Sequence, residues 1–257
     1  MSGLQQSHRD TYFYISPNAI GEHYALMTDR DERRHLLRTL RKRVGDPVAF
    51  VDGTGCVYDG VIERIDPDQI RIGVTSRERD ADEPSVRVTL APALLKGSRL
   101  DTVVEKVTEL GVDEIWPVHT ARTIINAAAS TARIDRWQRI AMSAMKQSLR
   151  SRLTVVRPVQ DFHEAIVHAK KYDLALIAWE KEAQNGLETI RHLHEQADRV
   201  LLFIGPEGGF EADEIEAARD VGIHSVSIGR RRFRADTAGI VAVTLLMTTL
   251  GAMKASR

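Results

Sequence analysis

Two stretches decide how this chain reads: Val200-Leu-Leu-Phe-Ile-Gly-Pro-Glu-Gly-Gly-Phe210 and, further on, Val226-Ser-Ile-Gly-Arg-Arg-Arg-Phe-Arg-Ala-Asp-Thr-Ala238. Each starts with a short apolar run rich in β-branched residues, Val200 to Ile204 and Val226 to Ile228. Each then breaks at a glycine, Gly205 or Gly229, and opens a predicted helix. Glycine at a strand end permits a sharp turn and lets a ligand approach the backbone. The two turns predict one ligand pocket, at strand ends where open α/β sheets bind their ligands.

Upstream of these turns the pattern alternates strand, helix, strand: Val86 to Ala93, Arg99 to Leu110 closed by Gly111, then Glu114 to Val118 ending near Pro117. Such alternation argues for a parallel sheet with crossover helices. Further helices are predicted over Ile134 to Leu149, Asp161 to Lys170 and near Leu187 to Gln196, with a strand over Leu174 to Trp179. The final helix, Thr237 to Met253, is apolar on nearly every side up to Leu250, which suits the core or a subunit interface.

The N-terminal part reads differently. Thr11 to Ile15 and Gln69 to Thr75 are predicted strands, while Val48 to Val51 and Cys56 to Ile65 flank Asp52-Gly-Thr-Gly55 as a hairpin would. This describes a small sheet or barrel. Within it, Asp29 to Arg43 has helical spacing, an acidic first turn and a basic remainder of Arg33, Arg34, Arg38, Arg41, Lys42 and Arg43. That pattern fits both a solvated helix face with cations at its C-terminal end and an RNA contact. Ser76 to Ser85 has almost no apolar residue and reads as a linker, dividing the chain into domains at 1–78 and 86–257.

Composition limits the function. The chain has 257 residues, and 36 Lys+Arg balance 36 Asp+Glu. A wholly basic coat is excluded, whereas local basic patches are not. The one cysteine, Cys56, cannot form an internal disulfide and reads as a packing residue, and the nine histidines show no zinc-like spacing, so no metal is expected. A reducing cytoplasm fits. Met1 to Asp10 holds no apolar signal core, and no apolar run approaches the roughly 20 residues of a membrane span, so an intracellular protein without membrane contact is expected.

The glycine-rich turn has neither the phosphate-cradling spacing Gly-x-x-x-x-Gly-Lys-Ser/Thr nor the dinucleotide spacing Gly-x-Gly-x-x-Gly. Glu207 disfavours a bound phosphate and tolerates a cationic or polar ligand better. Read structurally, the same turn is a tight strand-to-helix connection stiffened by Pro206. In the second turn Arg230, Arg231, Arg232 and Arg234 create a strong positive field, suited to nucleic-acid phosphates or to an anion developing on a substrate. Asp236 or Thr237 also reads as a cap of the final helix, with Arg234 paired to an acidic neighbour.

Taken with three further motifs, the chain resembles the RsmE family of 16S ribosomal RNA uridine N3-methyltransferases, of the SPOUT superfamily. His35-Leu-Leu-Arg-Thr-Leu-Arg41 resembles the family's His-x-x-x-Val-Leu-Arg, with Thr39 for Val. Lys96-Gly97, followed by Glu105-Lys-Val-Thr-Glu-Leu-Gly-Val112, resembles Lys-x-x-Glu-Leu-Gly-Val, and Gln147-Ser-Leu-Arg150 resembles Gln-Ser-x-Arg. Ile204 to Gly209 and Ile228 to Ala238 match the signature turns. The chain departs from the family at Lys146 (Glu in the family), Arg230 (Pro), Arg232 (Ile), Phe233 (Leu) and Asp236 (Glu).

The resemblance implies an α/β protein with an N-terminal PUA-like β-barrel for RNA and a C-terminal SPOUT domain tied in a deep trefoil knot. It also implies a cytoplasmic homodimer that acts on 16S rRNA within the small ribosomal subunit and uses S-adenosylmethionine. The cofactor would be held by Trp179, Ile204, Gly205, Pro206, Glu207, Gly208, Ile228, Gly229, Phe233, Thr237 and Ala238. Catalysis would fall to Arg234, then Arg231, with Asp236 as organiser or proton acceptor. RNA would be held by Arg34, His35, Arg38, Arg41, Arg43, Lys146, Arg150, Arg152, Arg230 and Arg232. Two competing readings are an ordinary nucleotide-dependent doubly wound enzyme, whose fingerprint is missing, and a non-catalytic RNA-binding or ribosome-assembly protein on the same fold.

Overall fold

The computed structural model describes residues 9–80, 83–125, 131–187, 190 and 197–253. They divide into two compact units, one running to Glu83 and joined by Met145–Leu153, the other made of Pro84–Ala144 and the chain from Thr154 onward. Met145–Leu153, read from the sequence as part of the second domain, thus folds with the first.

In the first unit, strands β1 (Phe13–Tyr14), β2 (Tyr24–Met27), β3 (Pro47–Val51), β4 (Cys56–Ile65) and β5 (Ile70–Arg79) form one sheet in the order β1-β3-β4-β5-β2. The pairings are antiparallel except β1 with β3. Among the described residues the ladder runs from β1 at one end to β2 at the other. Strand alternation turns Phe50, Ile62, Ile70 and Ile72 inward onto Met27 and Leu36. Strand β5 runs into the expected linker, because its charged end pairs through the backbone with β4, Arg79 opposite Cys56, whatever its side chains. Asp29 caps helix α1 (Arg30–Arg34), its Oδ1 accepting from the N–H of Asp31 and Glu32 at 2.9 Å. A π-helical turn, His35–Thr39, follows, and the expected longer helix stops where Arg41 adopts φ +54°.

The second unit holds a six-stranded, all-parallel sheet in the order β13-β11-β12-β6-β7-β9. Its strands are β6 (Arg87–Pro92), β7 (Glu114–Ile115), β9 (Val155–Val156), β11 (Leu174–Ala178), β12 (Arg199–Ile204) and β13 (His224–Val226); β8 (Val118–His119) and β10 (Gln160–Asp161) pair separately. Val200, Leu201, Leu202 and Phe203 are all fully buried, as a strand covered on both faces requires. The helices are α2 (Arg99–Glu109), α3 (Thr131–Gln147, its end in the first unit), α4 (Phe162–Val167), α5 (Ala212–Asp220) and α6 (Ala235–Thr249). Helix α2 ends where expected: Gly111 takes φ +99°, and the N–H of Val112 reaches back to the carbonyl of Val107 at 3.0 Å. Helix α6 buries Gly239, Ala242, Val243, Leu246 and Met247 and leaves Leu245 exposed. The expected helix near Leu187 to Gln196 lies outside the described residues apart from Leu187 and Ile190.

Candidate functional site

The C-terminal ends of β11, β12 and β13 converge on a cleft of about 660 Å³. Its wall comes from Ala178–Glu180, from Ile204–Phe210 except Gly208, from Ser227–Ala235, and from Arg99 and Ala238. Ligand sites of open parallel sheets occupy this end of the strands. A neighbouring cavity of about 740 Å³ on the far side of Trp179 shares only Trp179 with the expected site residues.

The turn after β12 is fixed on several sides. Residues Pro206 to Gly209 form a reverse turn closed by the N–H of Gly209 donating to the Pro206 carbonyl at 2.9 Å. Gly209 has φ +71°, and a Cβ there would sit 2.7 Å from Glu180 Oε1, so no other residue fits without displacing that carboxylate. Glu207 accepts from Arg99 Nη1 at 2.8 Å. The helix that follows starts firmly, the Glu214 carboxylate accepting from the Glu211 N–H at 2.8 Å.

The chain leaving β11 folds back along the exit of β13. Asn185 accepts from the Ser227 N–H at 2.7 Å, and Leu187 donates to the Ser227 carbonyl at 3.1 Å. Glu182 anchors this return: it accepts from Ser225 Oγ at 2.6 Å and from the N–H groups of Gln184 and Asn185, with Arg219 beyond. The Ser225 hydrogen bond, followed by those backbone donors and the Arg219 charge, holds the Glu182 carboxyl below the usual range. Trp179, tied to β13 through its N–H to the Val226 carbonyl, has a buried indole Nε1 with no hydrogen-bond partner among the described residues.

The arginine turn is built differently. Arg230, Arg231, Arg232 and Arg234 all line the cleft, all are exposed, and none makes an ion pair with a described residue. Arg234 is the N-cap residue of α6, its carbonyl accepting from the Ala238 N–H at 2.7 Å.

Of the residues expected at the cofactor, Trp179, Ile204, Gly205, Pro206, Glu207, Ile228, Gly229, Phe233 and Ala238 line the cleft. Gly208 and Thr237 do not; Gly208 faces Arg122, and Thr237 is an exposed residue in the first turn of α6. Arg231 and Arg234 are in place, whereas Asp236 stands off the wall, its carboxylate accepting from the Thr237 N–H at 2.9 Å. The alternative of Arg234 paired to an acidic neighbour finds no partner among the described residues.

The RNA set divides. Arg34, His35, Arg38, Arg41 and Arg43 are exposed, with His35 set edge-on against Phe13. Arg150 needs correcting: its side chain is only 6% exposed and both Nε and Nη2 donate to Glu83. Lys146 is ion-paired to the buried Glu32 and Arg152 to Asp80, while Arg152 Nη1 also donates to the Thr54 carbonyl at 3.1 Å. These three hold the first unit together. The sequence reading missed Arg99, Ala178, Glu180, Gly209, Phe210, Ser227 and Ala235 as wall residues. Gly209 and Phe210 lie within the quoted stretch and Glu180 follows Trp179, but Arg99 reaches Glu207 from far upstream with no local signal.

Comparison with known proteins agrees with this geometry. A family model described as an RNA methyltransferase domain matches residues 82–247, and one described as an RNA methyltransferase PUA domain matches 28–75. The ribosomal RNA small subunit methyltransferase E of Synechocystis sp. is 30% identical over 92% of this chain and 77% of its own length. The chain belongs to the ribosomal RNA small subunit methyltransferase E family. The Mesomycoplasma hyopneumoniae member is 28% identical over 74% of this chain and 82% of its own. Among solved structures, the methyltransferase E of Neisseria gonorrhoeae bound to S-adenosyl methionine superposes with a TM-score of 0.80 at 29% identity, covering 93% of this chain and 97% of that one. A probable rRNA-methyltransferase from Porphyromonas gingivalis gives 0.79 at 31% identity, covering 94% and 99%. Among the described residues of this methyltransferase no cluster could hold a metal ion, and no helix is long and apolar enough to cross a membrane.

Proposed function

We propose that this chain transfers a methyl group from S-adenosylmethionine to N3 of a uridine in the 16S RNA of the small ribosomal subunit. The observation that carries the reading is the cleft itself, where the glycine-rich and arginine turns meet at the ends of three parallel strands. Its wall suits this cofactor. Ile204, Phe210, Ile228 and Phe233 offer apolar faces, and Glu180 and Glu207 offer carboxylates to a cationic ligand. Trp179, Ile204–Glu207, Ile228, Gly229, Phe233 and Ala238 would hold the group, which when bound supplies an electrophilic sulfonium methyl.

The remaining chemistry belongs to the protein. Uracil N3 becomes nucleophilic as it loses its proton, and the negative charge then spreads to the flanking carbonyl oxygens. Arg234, with Arg231 second, faces the cleft as an exposed cation and stabilises that anion. Asp236, off the wall, orients the first turn of α6 rather than taking the proton. The target base has to leave its stack, in a loop or by flipping. Arg230 and Arg232 hold phosphates beside the cleft, and Arg34, His35, Arg38, Arg41 and Arg43 hold RNA on the first unit.

The same reading includes a trefoil knot through the three cleft loops, a cytoplasmic setting, and a homodimer through α6, whose Leu245 is exposed beside half-buried Ile240 and Val241. The cofactor assignment is tested by thermal stability. S-adenosylmethionine at 100 times its Kd should stabilise the protein by about 2.7 kcal/mol, with NAD and ATP inert. Stabilisation by NAD or ATP instead would overturn it.

A further inference from the structure

We infer that Arg122, a residue outside the cleft, is a positioning residue that fixes the backbone of the glycine-rich turn for cofactor binding. The inference rests on the cofactor reading above. The peptide between Gly208 and Gly209 is flanked by two residues without side chains. Glycine takes φ of either sign at little cost, so sterics alone do not set which way that peptide faces. Its orientation is set by hydrogen bonds. The Gly208 carbonyl accepts from Nη1 of Arg122, which is not a wall residue, at 2.7 Å, while the N–H of the same peptide, on Gly209, closes the turn onto the Pro206 carbonyl. Gly209 lines the cleft and Gly208 does not, so this one peptide bridges the outside of the turn and the ligand wall.

The arginine is itself placed from two directions. Its stem lies against Gly208, where an added Cβ would come within 3.2 Å of Cδ and 3.3 Å of Cβ. Its Nε is 3.6 Å from Glu211 Oε1, at the start of α5. The loop carrying it is anchored by the Ala121 N–H donating to Glu214 Oε1 at 2.9 Å, and Glu214 also reaches back to the Glu211 N–H. The exit of β8, the glycine-rich turn and the start of α5 therefore form one hydrogen-bonded assembly with Arg122 at its centre. Removing the guanidinium frees the Gly208–Gly209 peptide to turn over, displacing Gly209 from its place in the ligand wall.

The test uses Arg122→Met, which keeps the stem and removes the donor, beside Arg122→Lys, which restores one donor. Binding of S-adenosylmethionine is titrated and steady-state methyl transfer is measured with the cofactor varied. R122M should raise the cofactor Kd and KM about tenfold and leave kcat at saturating cofactor within about twofold, the pattern of lost uniform binding. R122K should recover most of the affinity. An unchanged Kd in R122M, or an R122K as weak as R122M, would overturn the positioning role while wild-type binding leaves the cofactor reading standing. A wild-type protein that takes up no S-adenosylmethionine would overturn both.

Discussion

Lys146, Arg150 and Arg152 in the first unit each face a carboxylate, whereas Arg230, Arg231, Arg232 and Arg234 in the second face none among the described residues. In sequence the two clusters look alike, as short runs dense in cations. Their physical situations are opposite. A buried guanidinium needs a paired charge to offset its desolvation, and Glu83 supplies it, taking Arg150 on one oxygen and the N–H groups of Ser151 and Arg152 on the other. That carboxylate stitches the returning segment Met145–Leu153 to the first unit. The arginine turn has no such partner, so its like charges repel one another. Cations left in that state along a cleft suit an anionic ligand, and what separates the two clusters is the presence of partner carboxylates, not arginine density.

The largest break in this comparison comes from Arg150→Ala. Leaving Glu83 buried and unpaired should cost about 3 kcal/mol or more of stability, read from urea denaturation, with the salt dependence of RNA binding unchanged in the folded fraction. Arg234→Ala should act the other way. We expect methyl transfer to fall about 100-fold, with cofactor affinity and melting temperature retained. Arg234→Ala with unchanged turnover would remove it from catalysis.

A finer cut exploits the chain's departures from its family. Arg230→Pro with Arg232→Ile restores the family residues and should lower the slope of log K against log salt for RNA binding by about two, roughly one per lost phosphate contact. An unchanged slope would place both side chains outside the RNA path. The smallest effect is expected at the intermediate case, Arg219 with Glu182, where a half-exposed arginine supports a carboxylate already held by Ser225. Because the folded-state pKa of Glu182 is depressed, its contribution is present above about pH 4.3 and is lost as pH falls through the lower folded value. Glu182→Gln should therefore lower the melting temperature at neutral pH, and the gap to wild type should close in acid.

The second unit was legible where strands end in glycine. Val200 to Ile204 and Leu174 to Trp179 are continuous apolar runs, and continuous runs mark strands buried on both faces. Most wall residues contributed by the two quoted turns were named at that placement, Gly209, Phe210, Ser227 and Ala235 being the exceptions. What escaped was long-range. Nothing near Arg99 or Arg122 in sequence announces Glu207 or Gly208 as a partner, and nothing near Arg150 announces Glu83. Strand β2 was missed because Tyr24–Met27 is too short to show a period, and β5 was cut short because exposed strand ends carry charge as readily as linkers do. Asp236 was legible in two ways, as organiser of Arg234 or at the start of the final helix, and its carboxylate accepts from the Thr237 N–H in that helix's first turn.

The most direct test of the account is transfer of a labelled methyl group from S-adenosylmethionine to small ribosomal subunits lacking the modification, followed by mapping of the modified base. A single N3-methyluridine in the small-subunit RNA is the predicted result. Bound cofactor and bound RNA with no methyl transfer would contradict it, and would make the chain an RNA-binding protein on a methyltransferase fold.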